Sequence, residues 1–135
     1  MSLMGVFNIS SSAMNAQSVR LNTTASNLAN AESVSSTEEG AYRARQPVFE
    51  TVLNNLTGEV GGVKIADVVK SEAPVMKQYS PGNPLADKEG YIYRSNVNAM
   101  EEMANMISAS RSYQNNVQVM NTSKEMLMST LRLGQ

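Results

Sequence analysis

Two stretches at opposite ends of this chain place apolar side chains at steps of seven: Phe7, Met14, Leu21 and Leu28 near one end, and Met106, Tyr113, Met120 and Leu127 near the other. Met103, Ser110, Val117, Lys124 and Leu131 form the row beside the second set. Seven residues bring a side chain back to nearly the same helix face, so each stretch reads as one long helix with a seam. A strict seven-residue repeat also implies a left-handed supercoil. Each seam needs a cover, and the spacing leaves two open: the other helix of the same chain, or another copy.

The two helices claim about half of the 135 residues, and what lies between them is too small to bury a self-sufficient core. Aromatic residues make up 5% and Trp is absent, so large anchors for such a core are few. The expected molecule is a subunit that completes its core in an assembly.

The formal net charge is −1 with mixed signs and no basic patch, which argues against nucleic acid as a partner. Absence of cysteine excludes disulfides and thiolate chemistry, and absence of histidine removes the commonest general base and catalytic metal ligand. Serines are plentiful, but nothing supplies them with a base; no catalytic residue, metal or cofactor is expected. No segment approaches the ~20 apolar residues of a membrane span, so no membrane insertion is expected. The start, Met1-Ser2-Leu3-Met4-Gly5-Val6-Phe7, lacks the basic and long apolar regions of a secretory signal. Alone this favours a cytoplasmic protein, although export through a channel that reads an uncleaved N-terminus leaves the same appearance.

The first helix is predicted from about Leu3 to Ala31, with Arg20 its only ionised side chain and Ala, Ser, Asn and Thr between the seam positions. Asn and Thr lower helix propensity, so packing has to order it. Glu32 to Gly40 reads as a Ser- and Glu-rich break. Ala41 to Val52 reads as extended, Asn54 to Gly62 as a loop broken by Gly61-Gly62, and Val63 to Ser71 as a half-buried strand. Pro74 to Tyr79 is a further short strand, Pro81-Gly82-Asn83-Pro84 a turn, and Gly90 to Arg94 the last strand, with tyrosines on one face and Ile92 on the other. Asn98 can cap the second helix, with Glu101 at the capping-box position and the pattern running to Leu133. The expected fold class is α+β: long terminal helices around a small, loop-rich β region.

Other patterns have bland readings. Met100, Met103 and Met106 could offer thioethers to a soft metal ion, but steps of three on a helix more often mean adaptable packing. Glu38-Glu39 and Glu101-Glu102 could be pictured as catalytic pairs, yet adjacent helix positions diverge; solvated surface and capping fit better.

Asn27, Leu28, Ala29 and Asn30, within Ala25-Ser26-Asn27-Leu28-Ala29-Asn30-Ala31, resemble the N-terminal signature of bacterial flagellar rod and hook proteins. Arg43-Ala44-Arg45-Gln46, Gly62-Val63-Lys64-Ile65-Ala66-Asp67-Val68, Pro81-Gly82-Asn83-Pro84-Leu85-Ala86-Asp87 and Asn96-Val97-Asn98 extend the resemblance, as does Ser108-Ala109-Ser110-Arg111-Ser112-Tyr113-Gln114. It covers essentially the whole chain, and the middle motifs with the length point to the proximal-rod branch rather than larger hook or distal-rod relatives. The departure lies at Ala31-Glu32-Ser33-Val34, where relatives often carry Asp or Thr.

The resemblance implies a structural subunit of the drive shaft below the hook, which transmits torque for motility. It implies passage through the flagellar type III export apparatus without cleavage, then polymerisation with copies of itself and other proximal and distal rod proteins in a basal-body rod crossing the periplasm. It implies that residues 1–33 and 97–135 pair as an antiparallel coiled coil, with 34–96 as a separate small region. Phe7, Met14, Leu21, Leu28, Met103, Met106, Tyr113, Val117, Met120, Leu127 and Leu131 would then form the assembly interface, and Asn27 to Asn30 the junction with the β region. The competing reading is a soluble helical binding module, a chaperone or adaptor using the same helix faces.

Overall fold

The computed structural model of the protein describes residues 3–53 and 60–133. Seven elements follow in order: α1 (Leu3–Ala29), β1 (Val34–Ser35), β2 (Arg45–Leu53), β3 (Val60–Lys70), β4 (Met76–Tyr79), β5 (Tyr91–Arg94) and α2 (Ala99–Leu133). The α+β class and both long helices agree with the sequence expectation; an antiparallel coiled coil between them is not among the described features.

α2 starts where its cap predicts. Asn98 Oδ1 accepts from the N–H groups of Met100 (3.1 Å) and Glu101 (3.4 Å), and Asn98 carbonyl takes the first helical bond from Glu102 (3.0 Å). Glu101 is exposed and Glu102 buried, both in the first turn of α2 where capping and the helix dipole are expected to place them. The adjacent positions diverge as helix geometry requires, and one of the two turns inward. α1 carries no acidic residue in its first turn and no basic residue in its last, so charge does little to hold its ends.

Two small sheets form. In the first, β5 lies between β1 and β4, antiparallel to both. Val34 faces Arg94 and Ser35 faces Tyr93; on the other edge Lys77 faces Tyr93, Gln78 faces Ile92 and Tyr79 faces Tyr91. Ile92 is buried and its neighbours Tyr91 and Tyr93 half-buried, the predicted alternation. β1 is absent from the sequence reading, since two residues carry no periodicity. The second sheet pairs β2 with β3.

Gly61 and Gly62 lie inside β3, so the predicted loop break there is wrong; the rest of that loop, 54–59, lies outside the described residues. Gly62 has φ +154°, and a Cβ built on it would stand 2.5 Å from Ser12 Oγ. Ser12 Oγ accepts the Val63 N–H at 3.1 Å and donates to Ile9 carbonyl at 2.8 Å. Glycine is there because the strand's backbone touches the helix, which is a strand use of glycine rather than a terminator.

The predicted turn at Pro81 to Pro84 is present, with Asn83 N–H bonded to Ser80 carbonyl at 3.0 Å and Leu85 N–H to Asn83 Oδ1 at 2.9 Å. Asp87 closes this loop: its Oδ1 accepts from Glu89 (2.9 Å) and Tyr91 (2.8 Å) N–H groups. These donors, Tyr91 first, hold its carboxyl below the usual range, and Lys77 adds to the effect. Gly90, at φ +84°, lets the chain turn back under the Tyr79 ring.

The chain divides into two compact units. One comprises Met1–Leu21, Pro47–Asp67 and Ile107–Gln135; the other comprises Asn22–Gln46 and Val68–Met106. In the first, the buried positions include Ser10, Ala16, Ala109 and Ser123. In the second, Ala31, Ala44 and Val97 form a small cluster, with Tyr42 and Ala99 packed against it.

Candidate assembly surface

The Asn27-Leu28-Ala29-Asn30 segment closes α1, and each asparagine has a defined task. Asn27 is 1% exposed. Its Nδ2 donates to Arg45 carbonyl (2.8 Å) and its Oδ1 accepts Arg45 N–H (2.9 Å), so the side-chain amide pairs with one residue's backbone as a neighbouring strand would. The same Oδ1 accepts Tyr42 hydroxyl at 3.0 Å. Asn30 Nδ2 donates to Ser26 carbonyl at 2.8 Å, the same carbonyl that Asn30 N–H reaches at 3.2 Å. Ser33 N–H and Oγ both bond Asn30 carbonyl, at 3.1 and 2.7 Å. Leu28 is half-buried and Ala29 exposed.

A second asparagine continues the device. Asn96 Oδ1 accepts Ala44 N–H (2.7 Å) and its Nδ2 donates to Ala73 carbonyl (2.8 Å), while Arg43 reaches the same Ala73 carbonyl (3.0 Å). Ala44 carbonyl receives Ser71 N–H at 2.7 Å. The stretch from Tyr42 to Arg45 is thus held from α1 on one side and from the approach to α2 on the other. Spacing gives no signal for Tyr42 or Asn96 in these tasks, because their partners are backbone groups remote in sequence. Buried polar side chains are tolerable here because every described polar atom of Asn27 is paired.

The predicted seam residues are mostly half-buried in the single chain, and none is fully buried. Phe7, Met14, Leu21, Leu28, Met106, Val117, Met120 and Leu127 are half-buried; Met103, Tyr113 and Leu131 are exposed. The buried helix positions lie off the seam rows: Ser10 and Thr24 share one row of α1 and Glu102, Ala109 and Ser123 one row of α2, with Ala16 and Asn27 on other rows. Ser123 bonds its own helix at Val119 carbonyl, 2.8 Å away, so it can be buried without an outside partner. Gln17, in the first of these rows, keeps a buried Oε1 with no partner among the described residues.

Large apolar side chains meet water instead. Met100 is 75% exposed, Ile107 57% and Leu131 61% on α2, and Phe49, Val52, Leu53 and Val60 are exposed on β2 and β3. Among the described residues, five of the seven buried apolar side chains are alanines, and the largest fully buried side chains are Asn27 and Ser95. Burying apolar area contributes ~25 cal/mol per Å²; an alanine core therefore yields little, and most of what this chain can gain is still outside it. Exposed large apolar side chains in such number point to interaction surfaces. Among the described residues no group of three or more Asp or Glu stands where a metal could be held, and no helix is long and apolar enough to cross a membrane.

Comparison with known proteins meets this geometry. Residues 7–34 match the family described as flagella basal body rod protein, and residues 88–133 match the C-terminal family of flagellar basal body rod FlgEFG proteins. The chain is 54% identical over 136 residues to the flagellar basal-body rod protein FlgC of Escherichia coli O157:H7, with all of both chains covered. It is 52% identical to that of Salmonella typhimurium over 136 residues, again with both chains covered in full. To that of Buchnera aphidicola subsp. Baizongia pistaciae it is 41% identical over 139 residues, with the same complete coverage.

Proposed function

The chain belongs to the FlgC family of flagellar basal-body rod proteins and is a structural subunit of that rod rather than an enzyme, and from this we infer how its terminal helices serve the assembly. Residues 1–33 and 97–135 form the rod core, as an antiparallel coiled coil within the subunit, and 34–96 form the region outside it. The buried rows of small side chains let the subunit's own elements approach closely. The rows of larger side chains, Phe7, Met14, Leu21 and Leu28 with Met103, Met106, Tyr113, Val117, Met120, Leu127 and Leu131, are then available to neighbouring copies and other rod proteins. Asn27 to Asn30 fix the angle at which the chain leaves the core.

The observation that carries this reading is the inverted burial: alanine, serine and asparagine prevail among the buried residues, while many methionines and leucines are exposed. A soluble adaptor uses one apolar face, whereas exposed residues here lie on α2 and on both strands of the second sheet, as a subunit with several neighbours requires. Transmission of torque follows from rigid packing of those neighbours, many weak lateral contacts adding along the shaft. The subunit reaches its place in the proximal rod, across the periplasm, through the flagellar type III export apparatus and without cleavage.

A doubly charged variant tests the reading. Met103→Asp with Ile107→Asp alters side chains 46% and 57% exposed, so stability of the isolated chain should change by no more than about 0.5 kcal/mol. Basal bodies purified from cells carrying only this variant should lack the subunit, and the cells should not swim. Normal incorporation of the variant refutes the assignment of this face.

A further inference from the structure

We propose that a cleft beside the Arg43-Ala44-Arg45-Gln46 segment is an anion-receiving site whose occupant is a carboxylate side chain of a neighbouring rod subunit; this rests on the rod reading above. The cleft, about 230 Å³, is lined by Glu39, Gly40, Ala41, Tyr42, Arg43, Arg45 and Lys70. Its three cations are placed by features already described. Arg43 is anchored on Ala73 carbonyl and stands 3.9 Å from Glu38. Arg45 has its backbone clamped by Asn27 and its guanidinium over the Tyr42 ring, 5.8 Å from the centroid. Lys70 ends β3.

Arg45 and Lys70, at the ends of β2 and β3, carry like charge. The bond from Ser71 N–H to Ala44 carbonyl ties two segments of the chain together, and Lys70 and Arg45 are the next residues along β3 and β2. Like charges on neighbouring strands repel. Neither cation takes part in the ion pairs Arg43–Glu38, Lys64–Glu50 and Arg94–Glu32. Glu39 lines the cleft but bridges neither of them. Two cations outside those ion pairs, one lying over a ring, form a seat for a carboxylate, which arginine can grip through two parallel N–H donors. A neighbouring subunit is the occupant the assembly supplies, because the contact then becomes available only as the rod forms.

The test uses the full isolated chain and citrate as a polycarboxylate probe, against chloride at equal ionic strength. Amide and guanidinium NMR signals of residues 39–45 and 70 should shift saturably, and citrate should raise the Tm. In the Arg45→Gln, Lys70→Gln double variant the apparent affinity should fall at least tenfold, and in chloride the variant should melt above the parent because the repulsion is gone. A Lys88→Gln control should behave as the parent. Shifts spread over all surface cations, an unaltered response in the double variant, or phosphate binding more than tenfold tighter than citrate each overturn the proposal. In cells, the double variant should enter the rod poorly; normal entry by a chain that no longer binds citrate overturns the subunit contact while leaving the rod reading intact. Absence of the parent chain itself from basal bodies would sink the rod reading instead, without touching the citrate result.

Discussion

Replacing Asn27 by alanine removes three hydrogen bonds at once: two that pair its amide with the backbone of Arg45 and one from Tyr42 hydroxyl, at 2.8, 2.9 and 3.0 Å. Each is worth about 1 kcal/mol net. Water cannot readily replace the lost amide, because the site is 1% exposed. The expected cost is therefore about 3 kcal/mol. A chain of 135 residues has an unfolding entropy near 0.28 kcal/mol/K, so the midpoint should drop by about 10 °C. Tyr42→Phe removes one of the three bonds and should cost about 1 kcal/mol, and the double variant should show a coupling energy of about 1 kcal/mol. Urea unfolding followed by circular dichroism at constant m measures all three. A cost below about 0.5 kcal/mol for Asn27→Ala, or zero coupling to Tyr42, refutes the view that this amide holds the junction.

Gly62→Ala forces a Cβ to within 2.5 Å of Ser12 Oγ at a φ of +154°; a loss of about 1–3 kcal/mol and faster hydrogen exchange at Val63 are expected, and an unperturbed Val63 amide would exclude the close contact. Ala109→Leu, at a fully buried position, should cost about 1–3 kcal/mol by overpacking, read from the urea midpoint; a neutral substitution would mean space that the structure does not contain. Asp87 titrates below an ordinary carboxyl when folded, so it stabilises above the unfolded value near pH ~3.9 and that contribution disappears as pH falls through the lower folded value. The stability gap between the parent and Asp87→Asn should accordingly shrink on acidification, and a gap that widens there contradicts the assigned bonds.

Both helices, the α2 cap at Asn98, the strands from Met76 to Tyr79 and Tyr91 to Arg94, and the turn at Pro81 to Pro84 are readable in the sequence because each has a local cause: periodicity, a capping oxygen, or prolines and glycine in series. The Asn27 to Asn30 signature is readable as a motif, but its work is not, since its partners are the backbone of Arg45 and the hydroxyl of Tyr42, 18 and 15 residues away. Gly62 misleads for a related reason. A glycine that ends a strand and one that lets a strand touch a helix look the same until Ser12 is seen beside it.

The sequence by itself determined a charge-balanced chain with two long helices and few large anchors for a core, because composition and period act locally. Tertiary structure alone decided which seven-residue rows turn inward. Size favours Phe7, Met14, Met106 and Tyr113 for the core, yet Ser10, Thr24, Ala109 and Ser123 are buried, since close backbone approach selects small side chains and polar ones among them can bond their own helix. The larger side chains of the rows of sevens are therefore left half-buried or exposed within the single chain.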